Sequence, residues 1–248
     1  MSNPLFNQDR WAQSGTSDNH MTVTGAIQKT AILLGILILT FGATWDSLAT
    51  TSLIFGMAVG PVLIGSLIVA LISGLIGAFV PRAAMVTSII YALSYGVLLG
   101  AVSYMFNQKF HGLPLLAATL TIGTLTGMLF LYTQRIIRAT PMLTKCIIGA
   151  TLGLAIGIGL LMLLNLFGAA NGITASLYGN GVIGIGFSVV CVGIAAFNLI
   201  LDFHFIEEAA ANRAPKYMEW VGAFGLLVTL VWLYIEFLRL LSKLQSRN

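Results

Sequence analysis

Three carboxylates stand inside or at the edge of long apolar stretches: Asp202, Glu219 and Glu236. Asp202 sits in Asn198-Leu-Ile-Leu-Asp202-Phe-His204, and Asn198 and Asp202, four residues apart, share one helical face. An acidic group deep in a membrane helix costs roughly 2.5–3.5 kcal/mol on insertion scales, so it turns toward protein or water. The chemistry open to it there is to hold a proton or a hard cation. Two readings of Asp202 stand side by side. It is an ion or proton site facing a bundle interior, or it is a carboxylate reaching the interface beside His204, Glu207 and Glu208. Glu236 has Arg239 at i+3, which offers an intrahelical ion pair. Glu219 adjoins Trp220 and Asp46 follows Trp45, placements that suit a membrane–water interface. Arg82 follows one apolar run, and Asn165 lies near the end of another.

Little else in the chain points to chemistry. His20, His111 and His204 fall in a tail, a loop and a helix end, and no HExxH, GxSxG or Walker pattern occurs. Cys146 and Cys191 lie in separate apolar runs, which argues against a disulfide framework or a zinc site. An intramembrane protease built on paired aspartates needs two of them at matching depth, and only Asp202 is so placed. The Gly-rich string at 179–186 follows no strand, so it is not read as a nucleotide loop. The expectation is a non-enzyme with no cofactor.

The elements that position these groups follow from composition. The chain has 12 basic and 8 acidic residues in 248, and 58% of it is apolar. Ordinary soluble domains are about 25% charged, so these charges are too few to cover a soluble surface. A mean hydropathy of +0.95 agrees. Both exclude a soluble enzyme and a nucleic-acid binder, despite the net charge of +4. Apolar runs near the ~20 residues that span a bilayer are expected at 30–48, 58–80, 84–106, 113–134, 143–167, 181–203 and 218–242. None alternates as a barrel strand does. The expected fold is an all-α membrane protein, a seven-transmembrane-helix bundle. A polar, flexible N-terminal tail is expected over 1–28, one membrane domain over 29–243, and a C-terminal tail over 244–248.

Orientation follows from Lys and Arg. One side would carry Arg10, Lys29, Arg82, Arg135, Arg138, Lys145, Arg213 and Lys216; the other would carry Lys109, Arg239, Lys243 and Arg247. The richer side is the cytoplasmic one, with the N-terminus inside and the protein in the inner cell membrane. The three basic residues at the C-terminus fit this poorly. They leave open whether the last helix crosses or re-enters.

Several strings together resemble the Bax inhibitor family of seven-helix membrane proteins, in a bacterial branch. They are Tyr91-Ala-Leu-Ser-Tyr-Gly96-Val-Leu-Leu-Gly100, Leu201-Asp202-Phe203 and Leu233-Tyr-Ile-Glu236-Phe, with Asn3-Pro4-Leu5-Phe6 opening the tail. The resemblance covers roughly residues 28–243. It implies a pH-sensitive calcium leak built around two carboxylates, one late in the sixth helix and one in the seventh, with an arginine after the second helix. Asp202 matches the first acid and Arg82 the arginine. Glu236 stands in the second acid's string, with Glu for Asp. It lies about 27 Å into its helix at ~1.5 Å per residue, whereas Glu219 is closer in depth to Asp202. The pair is Asp202–Glu236, Asp202–Glu219, or absent. Two close carboxylates would share a proton, and losing it would favour repulsion or a hard cation such as calcium. The rival expectation is a non-conducting scaffold that regulates another membrane protein or protease complex. The partners implied are the lipid bilayer, calcium or protons, and a membrane-protein partner.

Overall fold

A backbone amide in hydrocarbon has no water to bond, so an apolar run of this length closes its hydrogen bonds within a helix. The structure, a computed structural model, describes residues 20–168 and 171–247. Among these residues the helices are α1 (Val23–Thr51), α2 (Val59–Phe79), α3 (Ala84–Lys109), α4 (Leu113–Thr133), α5 (Pro141–Leu166), α6 (Asn171–Tyr178), α7 (Val182–Ala211) and α8 (Met218–Gln245). A 3₁₀ turn, Pro81–Ala83, joins α2 to α3. Every helix except the short α6 is long and apolar enough to cross a bilayer, which makes the chain an all-α membrane bundle of seven spans. Residues 1–19, with Asn3-Pro4-Leu5-Phe6 and Arg10, lie outside the described residues.

Three boundaries differ from the sequence reading for one reason. Hydropathy marks the length that crosses lipid, and a helix continues past it wherever its residues favour helix. α1 starts at Val23, inside the stretch read as tail, because the Thr22 side chain caps it by accepting from the Gly25 amide. α7 runs to Ala211 rather than 203, since Glu207-Glu208-Ala-Ala-Ala211 are good helix formers. α8 extends to Gln245, into the segment read as a C-terminal tail. The short α6 occupies what was read as a loop. At the turns, Gly112 takes φ +81° ahead of Pro114, and Pro141 opens α5 behind the Thr140 cap.

α8 is the centre of the bundle. It packs against α1, α2, α3, α4 and α7, whereas among the described residues α5 touches only α6 and α7. One continuous core runs through Leu33 and Leu37 of α1, Tyr91 and Leu99 of α3, Leu199 of α7 and Leu227 to Leu238 of α8. By contrast Ile147 is the only buried residue of α5. The wide belt of exposed Leu, Ile and Val on α2 and α5 suits lipid.

Helices α1 and α3 approach closely at Gly96 and Gly100. A Cβ on Gly100 would stand 2.7 Å from the Phe41 carbonyl oxygen and 3.0 Å from Thr44 Cβ; at Gly96 it would stand 2.7 Å from the Leu37 carbonyl oxygen. This is the small-xxx-small contact that lets membrane helices pack backbone to backbone. Gly153 of α5 meets nothing within 4 Å. Gly100→Ala should therefore lower the thermal unfolding midpoint in detergent, at an overpacking cost of about 1–3 kcal/mol. Gly153→Ala should leave it unchanged or raise it, through helix propensity alone.

Candidate functional site

The three carboxylates singled out in the sequence occupy three separate environments. Glu219 opens α8, and its side chain is fully buried among protein groups at that helix end. Its Oε1 accepts from the Thr22 amide at 2.9 Å and the Thr22 hydroxyl at 3.0 Å, and pairs with Lys216 Nζ at 3.1 Å. Its Oε2 accepts from Lys29 Nζ. Lys29 also lies 5.5 Å over the Trp220 ring, a cation–π contact. Gly25 is required beneath this cluster, because a Cβ there would collide with the Glu219 carboxyl. Burial of a charge is tolerable only with this density of partners.

Glu236 lies deep in α8, and the expected ion pair is present: Arg239 Nη1 donates to Oε1 at 2.9 Å. The Trp232 indole N–H approaches the same oxygen at 3.3 Å, while Oε2 is buried with no hydrogen-bond partner. Arg239 stacks 5.3 Å over Tyr178 of α6. One turn further on, Lys243 is buried, and its ammonium donates to the carbonyls of Leu177 (2.9 Å) and Gly184 (2.8 Å) and to Ser188 Oγ (2.9 Å). All three of its protons are thereby used. Leu177 and Gly184 flank the start of α7, at the opposite end of that helix from Asp202. The last helix thus crosses the bundle and does not re-enter.

Asp202 lies more than two turns before the end of α7 and faces α8. Its Oδ1 would stand 3.5 Å from a Cβ on Gly225, the Thr229 hydroxyl is close by, and Oδ2 is buried with no hydrogen-bond partner. Asn198, on the neighbouring face, instead donates to Thr151 of α5 at 2.8 Å. The position opposite Gly225 fixes the distances to the other acids. Along α8, Glu219 is about 9 Å away and Glu236 about 16 Å away, at ~1.5 Å per residue. A shared proton needs oxygens roughly 2.5–2.7 Å apart. The structure therefore does not bring Asp202 together with either acid. Arg82 is exposed in the 3₁₀ turn, and Asp46 is exposed on α1. Among the described residues, no group of three His, Cys, Asp or Glu is arranged to hold a metal ion.

Two residues of this constellation were read from sequence only as orientation charges: Lys29 and Lys243. Lys243 carried a signal, since it follows Glu236 and Arg239 at spacings of seven and four and so shares their face. Lys29 carried none, because its partner is 190 positions away.

A family model described as Bax inhibitor 1 like matches residues 3–246. No curated protein and no solved structure matches the chain.

Substitution should separate the buried charges from the surface ones. Glu219→Gln removes the acceptor from Lys29, whose side chain is 17% exposed; a broken buried pair costs about 3–5 kcal/mol, and this partial exposure puts the loss at the lower end. Lys243→Met strands two carbonyls and a hydroxyl, at about 1–3 kcal/mol for each group left unsatisfied. Both should lower the unfolding midpoint in detergent well below that of Arg247→Met, which should match the parent.

Proposed function

The chain belongs to the Bax inhibitor 1 like family, and from that premise we propose that it is a pH-sensitive cation leak for calcium or protons, gated at Asp202. The observation that carries the proposal is a pair of orphaned oxygens. Among the described residues, Asp202 Oδ2 and Glu236 Oε2 are the carboxylate oxygens that are buried with no hydrogen-bond partner. A buried acceptor without a donor costs about 1–3 kcal/mol or more when charged. A proton relieves it, and so does an oxygen-seeking cation. Both oxygens belong to helices α7 and α8, so the path proposed for the ion follows that helix pair.

The mechanism differs from a shared-proton pair. Glu219 is a structural ion-pair centre, and Glu236 is the second stop, held by Arg239. Between the two stops the helices are closed by Ala195, Leu199, Leu230 and Leu233. With its proton, Asp202 packs neutral beside Gly225 and Thr229, and the pair stays shut. Without it, the charge needs water or a cation, which favours separation of α7 from α8. Flux is therefore expected to rise with pH. The same proposal sets the Lys29 end on the cytoplasmic side of a cell membrane. Lys29, Arg82, Arg135, Arg138, Lys145, Arg213 and Lys216 gather at that end. At the other end Arg239 and Lys243 are turned into the protein, which leaves Lys109 and Arg247 to count.

A scaffold function is the second reading, and α5 favours it. Its outward glycines Gly149, Gly153 and Gly157 meet nothing within 4 Å, which leaves a ridge fit for another membrane helix. Liposome flux decides between the two. Purified protein loaded with a calcium or proton indicator should leak faster as pH rises, and Asp202→Asn should abolish that pH response. An unchanged response in Asp202→Asn refutes the gate; no flux at any pH favours the scaffold.

A further inference from the structure

The segment just before α1 is tied across the end of the α7–α8 pair. His20 forms an antiparallel bridge with Pro215. The Met21 amide donates to the Ala214 carbonyl at 2.7 Å, and His20 Nδ1 lies 3.1 Å from the Arg213 carbonyl oxygen. Thr22 then gives both its amide and its hydroxyl to Glu219. The connection between α7 and α8 is thus laced to a segment nearly 200 residues away in sequence.

The side chain between these ties is apolar. Met21 is 2% exposed and packs with Ala26 and with Ile206 of α7. Ile206 comes one turn after Asp202 on α7, and Gly222 comes one turn before Gly225 on α8, so each shares a face with the residue it follows or precedes. These two meet as well: a Cβ on Gly222 would stand 2.8 Å from Ile206 Cγ1 and 3.6 Å from Met21 Cε. Met21 and Ile206 therefore fill the seam between α7 and α8 one turn outward of Asp202, on the Lys29 side.

We propose that His20–Thr22 is a strap that closes the water route to Asp202, with Met21 as its plug and Glu219 as its clasp. The clasp explains a cost that packing alone does not. Glu219 is fully buried at a helix start, where an exposed carboxylate would serve the helix dipole as well. In this place it instead draws Lys29, Lys216 and Thr22 to one point, which fixes Met21 over the seam. Releasing the strap costs the Glu219 contacts but leaves the α1–α3 and α3–α8 packing intact. It is a local opening and not an unfolding. As a gate on ion flow, the strap rests on the reading of Asp202 above; as a closure over the seam, it does not.

The test reads water access directly. In the full-length chain with Cys146→Ser and Cys191→Ala, Gly225→Cys places a thiol beside Asp202. Its reaction with a charged, membrane-impermeant thiol reagent is followed in detergent and in liposomes. The thiol should react slowly with the strap intact. It should react about tenfold faster or more when Met21→Ser or Glu219→Gln is added, as expected for a local opening shifted by ~1.4 kcal/mol. Met21→Ser leaves the ion cluster untouched, so it carries the test if Glu219→Gln does not fold. An unchanged rate in folded Met21→Ser overturns the strap. Flux is then measured separately in the chain with its native cysteines and Gly225. Faster labelling in the reporter chain without any flux leaves the strap standing and refutes the leak. Asp202-dependent flux with unchanged labelling refutes the strap alone.

Discussion

A buried charge must find its partner inside the protein, and α8 carries three that do: Glu219, Glu236 and Lys243. This requirement accounts for the architecture better than hydrophobicity does. Lipid is as apolar as Leu and draws no helix to the middle of a bundle. A helix with charged groups at its start, middle and end, on faces that cannot all be turned to water, is stable only when surrounded. α8 accordingly sits among α1, α2, α3, α4 and α7, and its charged groups tie down distant parts of the chain. Glu219 holds the start of α1 through Lys29 and Thr22. Lys243 holds the link between α6 and α7 through the carbonyls of Leu177 and Gly184. Helix α5 carries no acidic residue, its one lysine, Lys145, is exposed, and it is correspondingly peripheral.

The partners at the two ends of α8 differ in kind, and that difference sets what each end can do. Lys243 is bonded mainly to backbone carbonyls, which neither titrate nor change rotamer, so that end is a fixed joint. Glu219 is held mainly by side chains, two of them long lysines; Lys216 is 44% exposed. Such ties are weaker where water competes. The Glu219 end is therefore the less firmly tied of the two, and it is also the end nearer Asp202.

The number, order and approximate limits of the spans were legible in the sequence, because a bilayer imposes a length that hydropathy measures. What hydropathy does not measure is helix outside lipid, hence the missed first turns of α1 and the long end of α7. The local ion pair Glu236–Arg239 was also legible, since i+3 spacing needs no tertiary knowledge. The contacts of Glu219 were not legible, because its environment is made by Lys29 and Thr22, remote in sequence, and by a glycine whose role is only to be small. Lys243 was misread because its acceptors are mostly carbonyls, which every residue has. Two of the three C-terminal basic residues, Arg239 and Lys243, thus make structural contacts that their spacing alone does not announce.

The remaining acid stands apart for a physical reason. Glu219 has four donors and Glu236 has an arginine, but Asp202 faces a glycine and a threonine. Gly225 makes room for the carboxyl without giving it anything to bond. A serine or asparagine there would satisfy it, and a larger apolar residue would exclude it. One carboxylate oxygen, Oδ2, is buried without a hydrogen-bond partner, and leaving it so costs free energy. Gly225 and Thr229 are what α8 turns toward this carboxyl, and the acids on either side of them along α8 stand too far away to share its proton.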